Sequence, residues 1–192
     1  MTQESSFVCL EQKKGDFIAF NVVSRNVMVS PGGGKPMNMI VRNVALHSPC
    51  VSILVYNPEK DSVFIGREYR SGVNEFRYGN AAGFIDEGET PDIAAKREVK
   101  EELGFDFKEG SDLLIHLSTI SSSEGFTNEE VYVYAYITTQ EPGETSFDSD
   151  EYVELTELKF DKFMEMVLSG EIKSAPTVVG ALRFTMSPKG EL

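Results

Sequence analysis

Histidine and cysteine are scarce in this chain, two of each in 192 residues, and the scarcity closes off several chemistries at once. Cys9 and Cys50 have neither metal-ligand spacing nor a CxxC arrangement, so they read as reduced thiols rather than a disulfide or a zinc site. His47 and His116 are far apart in sequence, which argues against a histidine-based triad. Basic residues are also outnumbered: 18 Lys and Arg stand against 31 Asp and Glu, a formal net charge of −13. Extended nucleic acid needs clustered basic side chains and is not expected as a partner. A small phosphorylated ligand stays open, because bound divalent cations invert the local field of an acidic site. No apolar run approaches the ~20 residues that span a bilayer. The N-terminal MTQESSFVCLEQKKGD lacks the apolar core of a secretory signal, so no membrane association and a cytoplasmic location are expected.

What is present suits one medium domain with a smaller appendage. Apolar residues make up 41% and charged residues 26%, as in an ordinary globular protein long enough to bury a core. FIAFNVVSRNVMVS and MNMIVRNVALH read as β-rich segments around the glycine-rich turn SPGGGKP. That turn is no phosphate loop, since Lys35 is followed by Pro36 and no helix. VSILVYN and SVFIGREYR predict strands on either side of the turn NPEKD, and VYVYAYI another. ELKFDKFMEMVLSG and APTVVGALRFTM predict helices, with Gly170 as a stop and Pro176 near a start. Strands mixed with a few helices imply an α/β or α+β sandwich.

The most informative stretch is GFIDEGETPDIAAKREVKEELGF, residues 83 to 105. Thr90-Pro91 reads as an N-cap followed by proline at the first helical position, and Gly104 as the C-terminal stop. Helical spacing puts Glu98, Glu101 and Glu102 on one face, beside an apolar stripe of Ala95, Val99 and Leu103. Like charges so placed repel. Taken alone, they form either a solvated acidic face or a seat for a hard cation such as Mg²⁺, which prefers carboxylate oxygens.

The spacing Gly83, Glu89, Arg97-Glu98, Val99, Glu101-Glu102, Gly104, Phe105 resembles the signature box of the Nudix hydrolases, with every required position filled. Over nearly the whole chain the order of segments is similar to the ADP-ribose pyrophosphatase branch of that family. VFIGREYRSGVNEF resembles the branch's strand ending in Gln-Tyr-Arg, with Glu68 in place of glutamine. SSSEGFTNEE resembles its Ser-Pro-Gly loop, with Glu124 in place of proline, and GEIKSAPTVVGALRF its closing helix. Two further departures stand before the box, where the branch commonly has glutamate and proline and this chain has Gly79 and Ala81.

The resemblance implies a Nudix fold, a mixed β-sheet sandwiched by helices, in residues 46–192. It also implies an N-terminal β-rich dimerisation element in residues 1–45, exchanged between the copies of a homodimer. It implies Mg²⁺, with Mn²⁺ as a substitute, held by Glu98, Glu101, Glu102 and the backbone carbonyl of Ala82. Arg70 becomes the phosphate clamp, because guanidinium matches phosphate oxygens. Arg67, three residues earlier on the same strand, faces the other way. Glu129 aligns with the acid that the branch uses as a general base or further metal ligand, and it counts with Arg70 and Phe17 among the substrate-binding residues; Glu130 is adjacent, and Glu101 is the next candidate for the base. Phe17 lies where the branch sets an aromatic against the base. Glu89 and Arg97 read first as a structural pair fixing loop to helix, and only second as catalytic. Tyr132, Tyr134 and Tyr136 line one strand face, for packing before base stacking.

The implied reaction is metal-dependent hydrolysis of a nucleoside diphosphate sugar, with ADP-ribose going to AMP and ribose 5-phosphate. Alternatives are a pyrophosphatase for GDP-mannose or another sugar nucleotide, and a non-catalytic nucleotide-binding module. The complete carboxylate set weighs against the last. NADH ranks lower, since no downstream aromatic-proline array is present.

Overall fold

Strands that must be apolar on both faces need cover on both sides, and β4 (Cys50–Asn57) and β9 (Glu130–Ile137) are of that kind. In the computed structural model, which describes residues 4–14, 19–29, 38–70, 72–146 and 153–186, these two strands run parallel at the centre of a seven-stranded mixed sheet. The strand order is β10-β5-β4-β9-β8, with β5 at Ser62–Arg70, β8 at Leu113–Ser121 and β10 at Val153–Lys159. β6 (Glu75–Gly79) pairs with β5, and β7 (Ala81–Phe84) with β4.

Alternation along the central strands divides the core in two. Val51, Ile53, Val55, Tyr134 and Tyr136 face α1 (Pro91–Leu103), which contributes Ala94, Ala95, Val99 and Leu103. Leu54 and Ala135 point the other way, to Phe163, Met166 and Val167 of α2 (Phe160–Ser169) and Ala181 and Phe184 of α3 (Ala175–Met186). The sheet is thus sandwiched by helices, as the sequence implies. Tyr136 is fully buried and donates its hydroxyl proton to Asp112 at 2.8 Å, so packing is its role. Removing a buried ring such as that of Phe163 would cost about 3–5 kcal/mol.

β4 shares one edge between two antiparallel partners. Its C-terminal half pairs with β5 from Val55↔Phe64, and its N-terminal half with β7 up to Ile53↔Ala81. β5 in turn carries β6 from Gly66↔Gly79. The sheet forks at this point, and Asn80 is the residue between β6 and β7.

The chain divides into two compact units, one of residues 49–120 and 130–192, the other of 1–48 and 121–129. In the second of these, β1 (Glu4–Lys14), β2 (Ala19–Val29) and β3 (Asn38–Leu46) form an antiparallel sheet in the order β1-β2-β3. Ala45 donates its N–H to the Phe126 carbonyl at 2.8 Å, tying the segment 121–129 to β3. The antiparallel pairing of β2 and β3 fits the two β-rich segments read from sequence, while the turn at 30–37 lies outside the described residues.

Two sequence readings need correction. Glu157, Leu158 and Lys159 end strand β10, and the helix predicted across them starts only at Phe160. Leu113–Ser121 is a strand that the sequence reading did not identify. Among the described residues, no helix is long and apolar enough to cross a membrane.

Candidate active site

The acidic helix begins and ends where its sequence says it should. Pro91 opens it behind an extended Thr90, and Gly104 closes it in the left-handed conformation at φ 73°. One detail differs: the Thr90 hydroxyl donates to the Asp92 carboxylate at 2.6 Å instead of accepting from a helix N–H. Val99 and Leu103 are buried against the sheet, and this anchors the acidic face against β7.

Glycine at 83 makes that approach possible. A Cβ built there would sit 1.9 Å from Glu98 Oε1, so the Glu98 carboxylate occupies space that only glycine leaves open. Glu98 is 8% exposed, unusual for a charged side chain. Its neighbour Glu102 accepts the Ala82 N–H at 3.2 Å, holding a second carboxylate against the same strand.

Arg97 gathers the remaining charges. Its Nε and one terminal nitrogen donate to the two carboxylate oxygens of Glu89, each at 3.0 Å. The other terminal nitrogen donates to Glu98 at 2.7 Å and Glu101 at 3.1 Å, and the Phe84 carbonyl accepts at 2.8 Å. Glu89, first among these partners, drives the Arg97 pKa well above the usual guanidinium range. In return, Arg97, followed by the Asp86 N–H, lowers the Glu89 carboxyl below the ordinary value. The Glu89–Arg97 contact is therefore a bidentate clasp between loop and helix, as the spacing predicts.

The donor set suits a hard divalent ion in kind: three glutamates on one helix face, and the backbone of β7 beside them. Among the described residues, however, no three His, Cys, Asp or Glu side chains stand together as a ready cage. Arg97 already engages two of the three glutamates. Residues and metal thus fit by chemistry and by the space at Gly83, with Arg97 as the competing cation.

Beside this cluster, the fork in the sheet encloses a small polar cavity. It is lined by Glu68 and Arg70 of β5, Arg77 of β6, Asn80, and Ala82 and Glu102. Arg70 pairs with Glu68 at 2.7 Å, and Arg77 with Glu75. Arg67 is turned away from the cavity, pairing with Glu154 at 3.0 Å and lying over the Phe76 ring.

Of the residues singled out from sequence, Ala82, Glu102 and Arg70 therefore meet at one cavity, with Glu98 and Glu101 on the same helix as Glu102. Glu129 belongs to the other compact unit, where its carboxylate lies 3.1 Å from His47 Nδ1. The Ser48 carbonyl is 2.8 Å from the same nitrogen. Both neighbours are acceptors, so Nδ1 carries a proton. Asn128 locks the arrangement, accepting the His47 N–H at 2.8 Å and donating to the His47 carbonyl at 3.2 Å. Phe17 lies outside the described residues. The sequence reading missed Arg77 and Asn80 as lining the cavity, and His47 as the partner of Glu129. For Arg77 and Asn80 no local signal exists, because the fork arises only from strand pairing.

Comparison with known proteins adds an independent line. The NUDIX domain model matches residues 46–176. A GDP-mannose pyrophosphatase of Salmonella paratyphi B is 30% identical over 136 residues, covering 67% of this chain and 69% of that one. An ADP-ribose pyrophosphatase of Bacillus subtilis (strain 168) is 27% identical over 137 residues, 71% of each chain. A methanol dehydrogenase activator of Bacillus methanolicus is 26% identical over 139 residues, 72% of each. A solved structure described as an ADP compounds hydrolase superposes with a TM-score of 0.74 at 20% identity, over 99% of this chain and 95% of that one. At that identity the likeness concerns the fold.

Proposed function

The chain belongs to the NUDIX family and is a pyrophosphatase acting on a nucleoside-diphosphate-linked substrate, and from that premise we propose that the substrate is ADP-ribose. The observation that carries the proposal is the placing of Ala82, Glu102 and Arg70 around one cavity beside the buried Glu98 carboxylate. Acidic ligands and a guanidinium side by side suit a diphosphate, which needs its charge balanced and its oxygens gripped.

In this reading Glu98, Glu101, Glu102 and the Ala82 carbonyl would hold Mg²⁺, or Mn²⁺ in its place. A divalent ion held there supplies charge neutralisation at the diphosphate. Arg70 leaves Glu68 to grip a phosphoryl oxygen. Glu129 takes the proton of the attacking water, with its carboxylate kept in place by His47 Nδ1–H. Water adds to one phosphorus, and the bridging oxygen departs with the other, giving AMP and ribose 5-phosphate. Glu129→Gln should lower kcat by about 10² to 10⁴, the usual contribution of a general base. Glu130→Gln, exposed and two residues from its Tyr132 neighbour, should change it little. Rates measured for both variants in saturating Mg²⁺ decide between them.

The same site also suits GDP-mannose, favoured by the relative at 30% identity. Incubation with Mg²⁺ and ADP-ribose, GDP-mannose, UDP-glucose, NADH and dinucleoside polyphosphates, with products resolved by chromatography, ranks these substrates. ADP-ribose should turn over with the highest kcat/KM, and a preference for GDP-mannose would replace it. Release of ADP and free ribose would mean glycosidic cleavage and would sink the bond assignment. The residue 1–45 element is proposed as a dimerisation element exchanged with a second copy, on the strength of Met39 and Val41, exposed along β3. Light scattering should give twice the chain mass, and a soluble, active monomer lacking residues 1–45 would dispose of the exchange.

A further inference from the structure

The last turn of a helix leaves carbonyls without partners inside the helix, and in α1 one of them is taken by the segment between β9 and β10. Three residues of that segment, spaced three apart, meet the end of α1 in reverse order. The Gln140 side-chain nitrogen donates to the Asp106 carbonyl at 2.9 Å and to the buried Asp112 carboxylate at 2.6 Å. Gly143 lies against Gly104. Ser146 donates its backbone N–H to the Glu101 carbonyl at 2.7 Å. Residues 140–146 therefore run back over the last turn of α1, from beyond its end to the level of Glu101. We propose that they form a strap that positions the acidic helix, with Gly143 and the Ser146 N–H as the positioning groups for Glu101 and Glu102. The inference rests on the reading of these glutamates as metal ligands and adds to it what holds their turn in place.

Both glycines at the crossing are required by close approach. A Cβ on Gly143 would stand 2.6 Å from the Gly104 oxygen, and one on Gly104 would stand 2.4 Å from the Gly143 carbonyl carbon. These are backbone atoms, so a new side chain could enter only if the strap or the helix end moved. Gly104 has a second reason to be glycine, its left-handed conformation at the helix stop. Gly143 is not among the residues of positive φ, so the contact alone calls for glycine there.

The three glutamates depend on the strap to different degrees. Glu98 fills the space at Gly83 and Glu102 accepts the Ala82 N–H, so β7 helps to locate both. The Glu101 carboxylate meets Arg97, a neighbour on the same helix, at 3.1 Å. Its place relative to the sheet is therefore set by where the helix itself lies, and the Ser146 N–H grips that same residue through its carbonyl. A shift of the last turn would move Glu101 and Glu102 together, and displacements of about 1 Å are costly in a preorganised site.

The test is calorimetric titration of the full chain with Mn²⁺, together with turnover of ADP-ribose, for wild type, Gly143→Ala, Ser146→Pro, Ser146→Ala and Glu101→Gln. Gly143 and Ser146 are exposed, so their variants should fold. Gly143→Ala and Ser146→Pro should weaken Mn²⁺ binding by about tenfold, the usual effect of losing a group that orients a metal ligand. Their kcat should fall by about tenfold with KM held, since neither residue lines the cavity beside Arg70. Ser146→Ala keeps the N–H and should keep the Mn²⁺ affinity. A purely structural strap would lower the melting temperature of Gly143→Ala and Ser146→Pro with Mn²⁺ affinity and kcat intact, and that result overturns the inference. So does a Ser146→Ala protein as impaired as Ser146→Pro. If Gly143→Ala does not fold, the comparison of Ser146→Pro with Ser146→Ala decides alone. Glu101→Gln tells the two readings apart: Mn²⁺ bound as by wild type removes the metal role of this turn and the inference with it, whereas weakened binding there beside unaltered strap variants removes the strap alone. The Mn²⁺ titration needs no substrate, so a failure of ADP-ribose in the panel leaves it standing.

Discussion

Around Arg97, every donor has an acceptor: Glu89 twice, Glu98, Glu101 and the Phe84 carbonyl share one guanidinium. At the fork of the sheet, Arg77 Nε and Asn80 Oδ1 are buried without a hydrogen-bond partner. Both clusters lie in the same compact unit and both are polar. The first is closed by the protein itself, at the cost of gathering like charges; the second leaves two buried polar atoms without a protein partner. A fully satisfied cluster holds a backbone in place, whereas an open one leaves buried polar groups at a desolvation cost.

Five changes would break or sharpen that contrast. The largest effect is expected from Glu98→Gln, which removes a buried charge from the closed cluster. Turnover should fall by about 10² to 10³ and Mg²⁺ should bind more weakly, as for the loss of one preorganised electrostatic group. Unchanged rates and metal affinity would reduce the closed cluster to scaffolding. Arg97→Ala comes next. It strands Glu89, Glu98 and Glu101 without their shared cation, and the unfolding free energy should drop by about 2 to 3 kcal/mol, between the values for exposed and buried pairs. Denaturant titration reads this directly, and added Mg²⁺ should recover part of the loss if the freed carboxylates bind it.

Arg70→Ala should raise KM by about tenfold while also lowering kcat, because the guanidinium grips phosphate before and during the reaction. Glu68→Gln should act in the opposite sense, lowering KM by about twofold through release of a half-buried intramolecular competitor. Equal KM values in both variants would mean that Arg70 does not touch substrate. The smallest effect is a pH slope. Arg97 depresses the Glu89 carboxyl in the folded state, so the stabilisation from this pair is fully present above the ordinary glutamate value of about 4.3. It is lost as pH falls through the depressed folded value. Glu89→Gln should therefore flatten the acid limb of a stability-versus-pH curve and leave its neutral plateau lower.

The closed cluster was legible in the sequence because it is local. Glu89, Arg97, Glu98, Glu101 and Glu102 fall within one loop and one helix, where spacing alone decides which side chains meet. Strands β4, β5 and β9 were legible for the same reason, through β-branched runs bounded by turn residues. Strand β10 was merged into the helix that follows it without a break, since no glycine or proline separates Lys159 from Phe160. Strand β8 alternates only weakly, with Leu113 exposed at its start. The open cluster could not be read at all. Arg77 and Asn80 acquire their meaning from β4 pairing with two strands along one edge, a fact of tertiary pairing. The meeting of His47 with Glu129 likewise depends on a bridge between Ala45 and Thr127.

Gly83 carries a consequence for how mutations in this chain would be tolerated. The atoms a new Cβ would strike belong to the far end of the Glu98 side chain, not to backbone. A flexible carboxylate can swing away, so an alanine there would cost the fold little while evicting the acid from its seat. Foldability and competence thus part company at this position. Gly83 and Glu98, separated by a loop and about two helical turns, act as one unit, in which an absent methyl group and a present carboxylate occupy the same few cubic ångströms.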